Sequence, residues 1–129
     1  GLLDEEYFFF DETDWCLRFR KAGWRVIHCP GATVVHLQGR SAGKANVRAR
    51  IEYYRSRYLF FRKHLSPAAS ILLKCGLIAK AVVSLVLNFL LAVATIFTWK
   101  RGRDRVRLYW SILLWHARGC PASEGLSTA

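Results

Sequence analysis

Methionine is absent from the 129 residues, and proline occurs only three times. Because protein synthesis starts at methionine, we expect the chain to be a piece of a longer protein. Acidic residues are also scarce, with nine Asp and Glu against twenty Lys and Arg and a formal net charge of +11. A positive excess of this size predicts an anionic partner, such as a membrane, a nucleic acid or a phosphorylated substrate.

Paired cysteines and nucleic-acid-binding signatures are missing as well. The cysteines Cys16, Cys29, Cys75 and Cys120 have no CxxC or metal-ligand spacing. We therefore predict reduced thiols that behave as small apolar residues, which fits a cytosolic face. No zinc-finger, RRM or helix-turn-helix pattern accompanies the basic charge, and hydrophobic residues make up 53% of the chain. These features argue against a nucleic-acid binder and favour a membrane-associated protein.

The residues that are present divide the chain into four zones. Six of the nine acidic residues lie in the first fourteen positions, whereas basic residues dominate after Phe19. We predict a compact α/β unit over 1–41, a basic amphipathic helix over 42–66, hydrophobic membrane-associated helices over 67–118 and a flexible tail over 119–129.

Within the first zone, the pattern predicts a helix followed by two strands. Acids at the start and bases at the end of Asp11–Ala22 match the helix dipole, and Gly23 stands where a left-handed residue ends a helix. The runs 24–28 and 32–36, separated by a Pro-Gly pair, have the β-branched composition of strands.

The second zone carries one apolar stripe. Its members, spaced by three and four residues, are Ile51, Tyr54, Tyr58, Phe61 and Leu65. Such a helix suits the surface of an anionic membrane. The alternative is a helix that packs on its own domain and leaves its charged face in solvent.

The third zone contains an uncharged run of nineteen residues from Ala81 to Trp99. As a continuous helix it would cross a hydrocarbon core of about 30 Å. A hairpin that dips into one leaflet is the alternative, since basic residues stand at both ends. The following segment, with Tyr109, Trp110 and Trp115, is typical of the membrane interface.

Two features are candidates for chemistry. The acids Asp11, Glu12 and Asp14 open the first helix directly after an aromatic run, and such a carboxylate cluster could supply a general base. The alternative is that they only cap the helix, with Asp14 paired to Arg18 one turn later. His36 at a strand end could bind a metal, although a lone histidine is more often an ordinary polar residue.

Several short motifs also follow one another in a set order. They are Gly1-Leu2-Leu3-Asp4-Glu5, Tyr7-Phe8-Phe9, Asp11-Glu12-Thr13-Asp14-Trp15-Cys16-Leu17-Arg18, Ala22-Gly23-Trp24, Pro30-Gly31-Ala32-Thr33-Val34-Val35-His36, Gly39-Arg40-Ser41, Arg55-Ser56-Arg57-Tyr58 and Arg62-Lys63-His64. In this order and spacing they resemble the end of the catalytic domain of the inverting family 2 glycosyltransferases, especially the rhamnosyltransferase-like branch. The resemblance covers about half of the chain.

The resemblance implies a GT-A fold, a nucleotide-binding α/β sandwich, of which this chain would hold the acceptor-side part. It makes Glu12 the catalytic base and Asp11 its neighbour, although the family usually has a Glu-Asp pair here, so either could be the base. It implies further roles for five residues: a metal ligand at His36, site-ordering positions at Asp14 and Arg18, and an acceptor-side lining at Asp4 and Glu5.

The implied reaction transfers a sugar, with inversion, from a nucleotide-sugar donor to a saccharide or lipid-linked acceptor. It uses Mg²⁺ or Mn²⁺, which the resemblance assigns mostly to an upstream part. We expect a role in cell-surface polysaccharide or glycolipid synthesis at the cytoplasmic face of a bacterial inner membrane. The alternative is a non-catalytic membrane-anchoring or assembly module.

Overall fold

The computed structural model describes residues 2–35 and 46–126, and regular structure in these residues is helical. Four α-helices follow one another along the chain: α1 at Asp11–Lys21, α2 at Asn46–His64, α3 at Pro67–Ala94 and α4 at Lys100–Ala117. A short 3₁₀ turn at Ala122–Glu124 ends the described part.

The predicted α/β fold is wrong, because no strand occurs in residues 2–35 or 46–126. Residues 24–35 are non-helical and exposed throughout, with Val26 50% and Val34 84% exposed. Their β-branched composition favours strands, but a strand also needs a partner and a buried face, and two short strands alone are marginal. The GT-A sandwich implied by the resemblance is therefore not the fold of the described residues.

The limits of α1 follow from its charges and from glycine. Phe10 precedes the helix in a left-handed conformation, with φ 72°, and gives it no side-chain cap. Three acids in the first turn face the positive end of the helix dipole instead. After Lys21 the chain turns at Gly23, where φ is 87° as predicted, and the Gly23 N–H donates to the Arg20 carbonyl (3.1 Å).

The core lies where α2, α3 and α4 meet. Its buried side chains are Ile51 and Tyr54 of α2, Leu77 and Ala81 of α3, and Ile112 and Trp115 of α4. Trp115 is fully buried, and its indole N–H donates to the Pro121 carbonyl (3.0 Å). The stripe predicted on α2 thus packs at Ile51 and Tyr54 against the chain's own helices, which is the second of the two alternatives for this helix.

Helices α3 and α4 form an antiparallel hairpin. Ser66 caps α3 by accepting from the Ala69 N–H (3.2 Å), and Pro67 occupies the first helical turn. The helix ends at Ala94, and after a connection of five residues α4 returns along it, with Ile112 and Trp115 beside Leu77 in the core. The uncharged run 81–99 is therefore helical only to residue 94.

Helix α3 is the one helix among the described residues whose length and composition would allow it to cross a membrane. Its most apolar window has a mean hydropathy of 2.3, and only 22% of that window is buried. A core helix of a soluble protein can reach such hydropathy but is mostly buried. The apolar face of α3 is instead largely exposed to solvent.

The segment after α4 lies against α2. The Arg48 guanidinium donates twice to the Gly125 carbonyl (3.0 and 2.8 Å). The buried carboxylate of Glu52 accepts from the Leu126 N–H (2.9 Å) and from Arg55 (2.7 Å). Part of the stretch 119–129, for which the sequence predicts a flexible tail, is thus held by charged groups on the first half of α2.

We expect Trp115→Ala to lower the free energy of unfolding by about 3–5 kcal/mol, because it empties the centre of the three-helix core. Denaturant unfolding followed by far-UV circular dichroism measures this change. Trp110→Ala is the matched control, since Trp110 is 56% exposed. If both variants lose the same free energy of unfolding, Trp115 does not lie in the core.

Candidate functional site

The acidic N-terminal segment is fixed to α2 through one buried carboxylate. Asp14 is fully buried, and its Oδ2 accepts from Nε of Arg18 at 2.7 Å. Its Oδ1 lies 2.5 Å from Nε2 of His64 and 3.0 Å from Nζ of Lys63. We call Asp4, Asp14, Arg18, Lys63 and His64 the Asp14 cluster. It joins the first two turns of α1 to the last turn of α2.

The imidazole of His64 also contacts the end of α1. Nζ of Lys21 lies 3.4 Å from Nδ1 of His64. The other ring nitrogen, Nε2, is the one that faces the Asp14 carboxylate. The His64 ring therefore links the first and last turns of α1 to α2.

Further contacts tie the residues before α1 to α2. Nζ of Lys63 lies 2.6 Å from Oδ2 of Asp4 and 5.5 Å from the centre of the buried Tyr7 ring. The Phe9 N–H donates to the Ser56 hydroxyl (3.3 Å), and Arg55 donates to the Glu6 carbonyl (3.3 Å). The segment that leads into α1 is thus held along the second half of α2.

The surroundings of Asp14 decide its charge. Burial by itself raises the pKa of the carboxyl, but hydrogen bonds from His64, Lys63 and Arg18 outweigh it and lower the pKa to about 2. Asp14 is therefore ionised at neutral pH and has no tendency to take up a proton. This favours a structural, site-ordering role over that of a general base.

The residues predicted to be catalytic or to line the acceptor side differ in their exposure and contacts. Asp11, the first residue of α1, is partly buried, whereas Glu12 and Glu5 are exposed. The Asp4 carboxylate accepts hydrogen bonds from Lys63 and from the Glu6 N–H (3.0 Å). His36 lies outside the described residues, so its position relative to Glu12 stays a prediction.

Two cavities lie near the segment. One, of about 430 Å³, is lined by Glu6, Arg55, Tyr58, Leu59, Arg62, Trp115, Gly119, Cys120 and Ala122. The other, of about 260 Å³, is lined by Trp15, Arg18, Phe19, Ala22 and Trp24. Neither cavity is lined by Asp11 or Glu12. The carboxylate pair therefore lies outside both of these cavities.

The described residues do not fit a divalent metal. Across 2–35 and 46–126, no three His, Cys, Asp or Glu side chains come together as a metal would need. Asp14, the carboxylate with the most partners, is already surrounded by cations, and a further positive charge would be repelled there. A site with His36 stays a prediction that the described residues leave open.

The sequence pointed to Asp14 and Arg18 but not to their partners on α2. Lys63 and His64 stand about fifty positions later, in a basic run that by itself resembles a solvated helix end. The only signal for them was the motif Arg62-Lys63-His64 in the family resemblance. The charges of the sequence could also have indicated Lys63 and His64, because a buried acid in the first turn of α1 needs cations from another part of the chain.

We expect the free energy of unfolding to fall in acid as Asp14 becomes protonated. Its folded pKa of about 2 lies below the usual 3.8 of an aspartate, so its contribution to stability is complete above about pH 4 and is lost as the pH falls through 2. The shift corresponds to a contribution on the order of 2 kcal/mol. Urea unfolding between pH 2 and pH 7 should show this loss in the original chain.

Asp14→Asn should remove that acid-dependent loss and lower stability at pH 7. The matched control is Asp104→Asn, since Asp104 is exposed on α4. If the free energy of unfolding falls between pH 4 and pH 2 by the same amount in Asp14→Asn as in the original chain, Asp14 does not make the contacts given above.

A scan of protein-family models, a search of curated proteins and a search of solved structures found no match to this chain. The resemblance to inverting glycosyltransferases therefore stands on the motifs in the sequence alone.

Proposed function

We propose that this chain is the acceptor-side part of a membrane-associated inverting glycosyltransferase, with Glu12 as the catalytic base and Asp11 beside it. The observation that carries the proposal is the placement of this carboxylate pair. It lies in the first turn of a helix that the Asp14 cluster fixes to α2, and α2 packs on a hairpin with an exposed apolar face.

The anchor supports a catalytic role because a general base must be held within hydrogen-bond reach of the proton that it takes. Asp14 pairs with Lys63 and His64 of α2 and so fixes the helix on which Glu12 lies, while Arg18 pairs with the same carboxylate from within α1. Glu12 itself is exposed and therefore accessible to a substrate. Asp14 and Arg18 are thus positioning residues in this proposal.

The proposed reaction is a single displacement. The Glu12 carboxylate takes the proton of an acceptor hydroxyl as that oxygen bonds to the anomeric carbon of the donor sugar. The bond from this carbon to the diphosphate breaks on the opposite face, and the electron pair leaves with the diphosphate. Configuration at the carbon is inverted. The described residues offer no metal site, so we assign no step of this reaction to a metal on this part of the chain.

The acceptor class follows from the exposed apolar helix. Helix α3 could associate with a membrane, and the +11 net charge would favour an anionic leaflet. An enzyme held there meets acceptors that are themselves in the membrane. We therefore propose a lipid-linked saccharide as acceptor and the cytoplasmic face of a bacterial inner membrane as the location.

A second candidate is a non-catalytic membrane-anchoring or assembly module. The observation in its favour is that Asp11 and Glu12 line neither of the two cavities near the segment. In this function the acids of α1 would only stabilise the helix, through its dipole and through the contact with α2.

Glu12→Gln in the full-length protein separates the two candidates. We expect kcat for sugar transfer to fall by about 10²–10⁴-fold, because the amide cannot take the proton. Transfer of radiolabelled sugar to extracted lipid acceptors measures this rate. Asp104→Asn is the matched control, because it removes one exposed acid far along the chain from α1.

Turnover that survives Glu12→Gln unchanged would favour the anchoring module. If Asp11→Asn abolishes transfer and Glu12→Gln does not, Asp11 is the base and Glu12 is its neighbour. We also expect the chain to be inactive by itself, since the proposal assigns donor binding to an upstream part. Sugar transfer by the isolated chain would contradict that division.

A further inference from the structure

We infer that α3 and α4 form a membrane-binding hairpin that lies along one leaflet of an anionic bilayer and does not cross it. This inference rests on the membrane association in the proposed function and adds its geometry. The outward face of α3 would lie in the acyl layer, and the cations of α4 would lie among the headgroup phosphates.

The outward face of α3 is a continuous apolar stripe. Its members, spaced by three or four residues and all exposed, are Leu72, Cys75, Ala79, Val83, Val86, Leu90 and Val93. The buried residues of α3 lie on the opposite face, at Leu77, Ala81, Asn88 and Ala92. The stripe is about 32 Å long and contains no charged side chain. An exposed apolar surface of this extent indicates an apolar partner.

A groove extends the stripe towards α4. It has a volume of about 410 Å³ and is lined by Leu85, Val86, Phe89, Leu90, Val106 and Trp110. Apart from the indole N–H, these side chains offer no polar group. A groove of this lining, open along an exposed apolar face, suits the acyl chain of a lipid.

Cations border the same face and identify the kind of membrane. Five basic residues lie in the first eight positions of α4: Lys100, Arg101, Arg103, Arg105 and Arg107. Arg103, Arg107 and Trp110 are spaced by four and three residues, so the two guanidiniums follow the Trp110 edge of the groove. Cations and an indole beside an apolar surface are the arrangement of a helix at an anionic interface.

The hairpin geometry argues against a transmembrane orientation. Within the uncharged run, only residues 81–94 are helical, which is about 21 Å against the roughly 30 Å of a hydrocarbon core. Helix α4 returns beside this segment and brings Arg103 and Arg107 alongside it. A spanning hairpin would therefore place guanidiniums or Lys80 in the acyl layer, where charge is costly.

Thiol labelling tests the orientation on preformed vesicles of phosphatidylglycerol and phosphatidylcholine. The first variant keeps Cys75 and replaces the other three cysteines with serine. The second keeps only Cys29, which is exposed and lies outside the hairpin. The third replaces all four and carries Arg101→Cys at the start of α4. A membrane-impermeant maleimide is added outside the vesicles, before and after lysis with detergent.

We expect vesicles to protect Cys75 at least tenfold and to leave Cys29 reactive, with the R101C thiol labelled before lysis. Labelling of the R101C thiol only after lysis would show a spanning hairpin and refute the inference. Undiminished reactivity of Cys75 on vesicles would refute it too. So would concentration-dependent protection of Cys75 without lipid, which would show that a second copy covers the stripe.

Vesicle flotation tests the cations. We expect Arg103→Gln with Arg107→Gln to weaken binding to phosphatidylglycerol vesicles roughly 30-fold at low salt. Arg20→Gln with Arg25→Gln removes equal charge from exposed positions outside the hairpin and should have a much smaller effect. Equal effects of the two pairs would refute a specific role for α4.

Arg103 also donates to the Phe97 carbonyl, so the single variant Arg107→Gln, with an unchanged circular dichroism spectrum, separates lipid binding from folding. None of these measurements depends on sugar transfer. An inactive enzyme that still binds as described would therefore refute only the catalytic proposal.

Discussion

The burial of the Asp14 carboxylate is the constraint on which the placement of the N-terminal segment depends. A buried carboxylate is unfavourable unless cations and hydrogen-bond donors surround it. Here one donor comes from α1 itself and two come from the end of α2. Removal of either partner on α2 leaves a buried charge poorly compensated. Helix α1 is therefore held in one register against α2, although the two helices are separated by a long stretch of chain.

Helix α2 contacts each of the other three α-helices, the segment before α1 and the chain after α4. One side contributes Ile51 and Tyr54 to the core with α3 and α4. Ser56 and the last turn hold the segment before α1, whereas Arg48 and Glu52 hold the chain after α4. Some of its charged residues are therefore engaged within the chain, because Arg48 and Glu52 bond to the backbone at residues 125 and 126 and Lys63 pairs with Asp4 and Asp14. Others, such as Arg50 and Arg62, remain exposed.

The sequence predicted the helices better than their connections. The dipole-matched charges, Gly23 and the apolar stripe placed α1 and α2 within a few residues of their observed limits. The end of α3 carried no such signal, because neither glycine nor proline stands there. The chain turns instead through left-handed Ile96 and Phe97, with φ of 49° and 56°, a conformation that β-branched and bulky residues rarely adopt. The predicted strands failed because composition alone supplies no pairing partner.

The carboxylates of the candidate site also differ more in the fold than in the sequence. From the sequence Asp11, Glu12 and Asp14 form one acidic cluster, but the fold divides it. Asp14 turns inward to the cations of α2, and Glu12 remains on the surface. Under the proposed function, Glu12 is then held on α1, α1 on α2, and α2 on a hairpin along the leaflet. An acceptor hydroxyl would have to approach Glu12 at a set distance from that surface, which a lipid-linked saccharide does more readily than a soluble one.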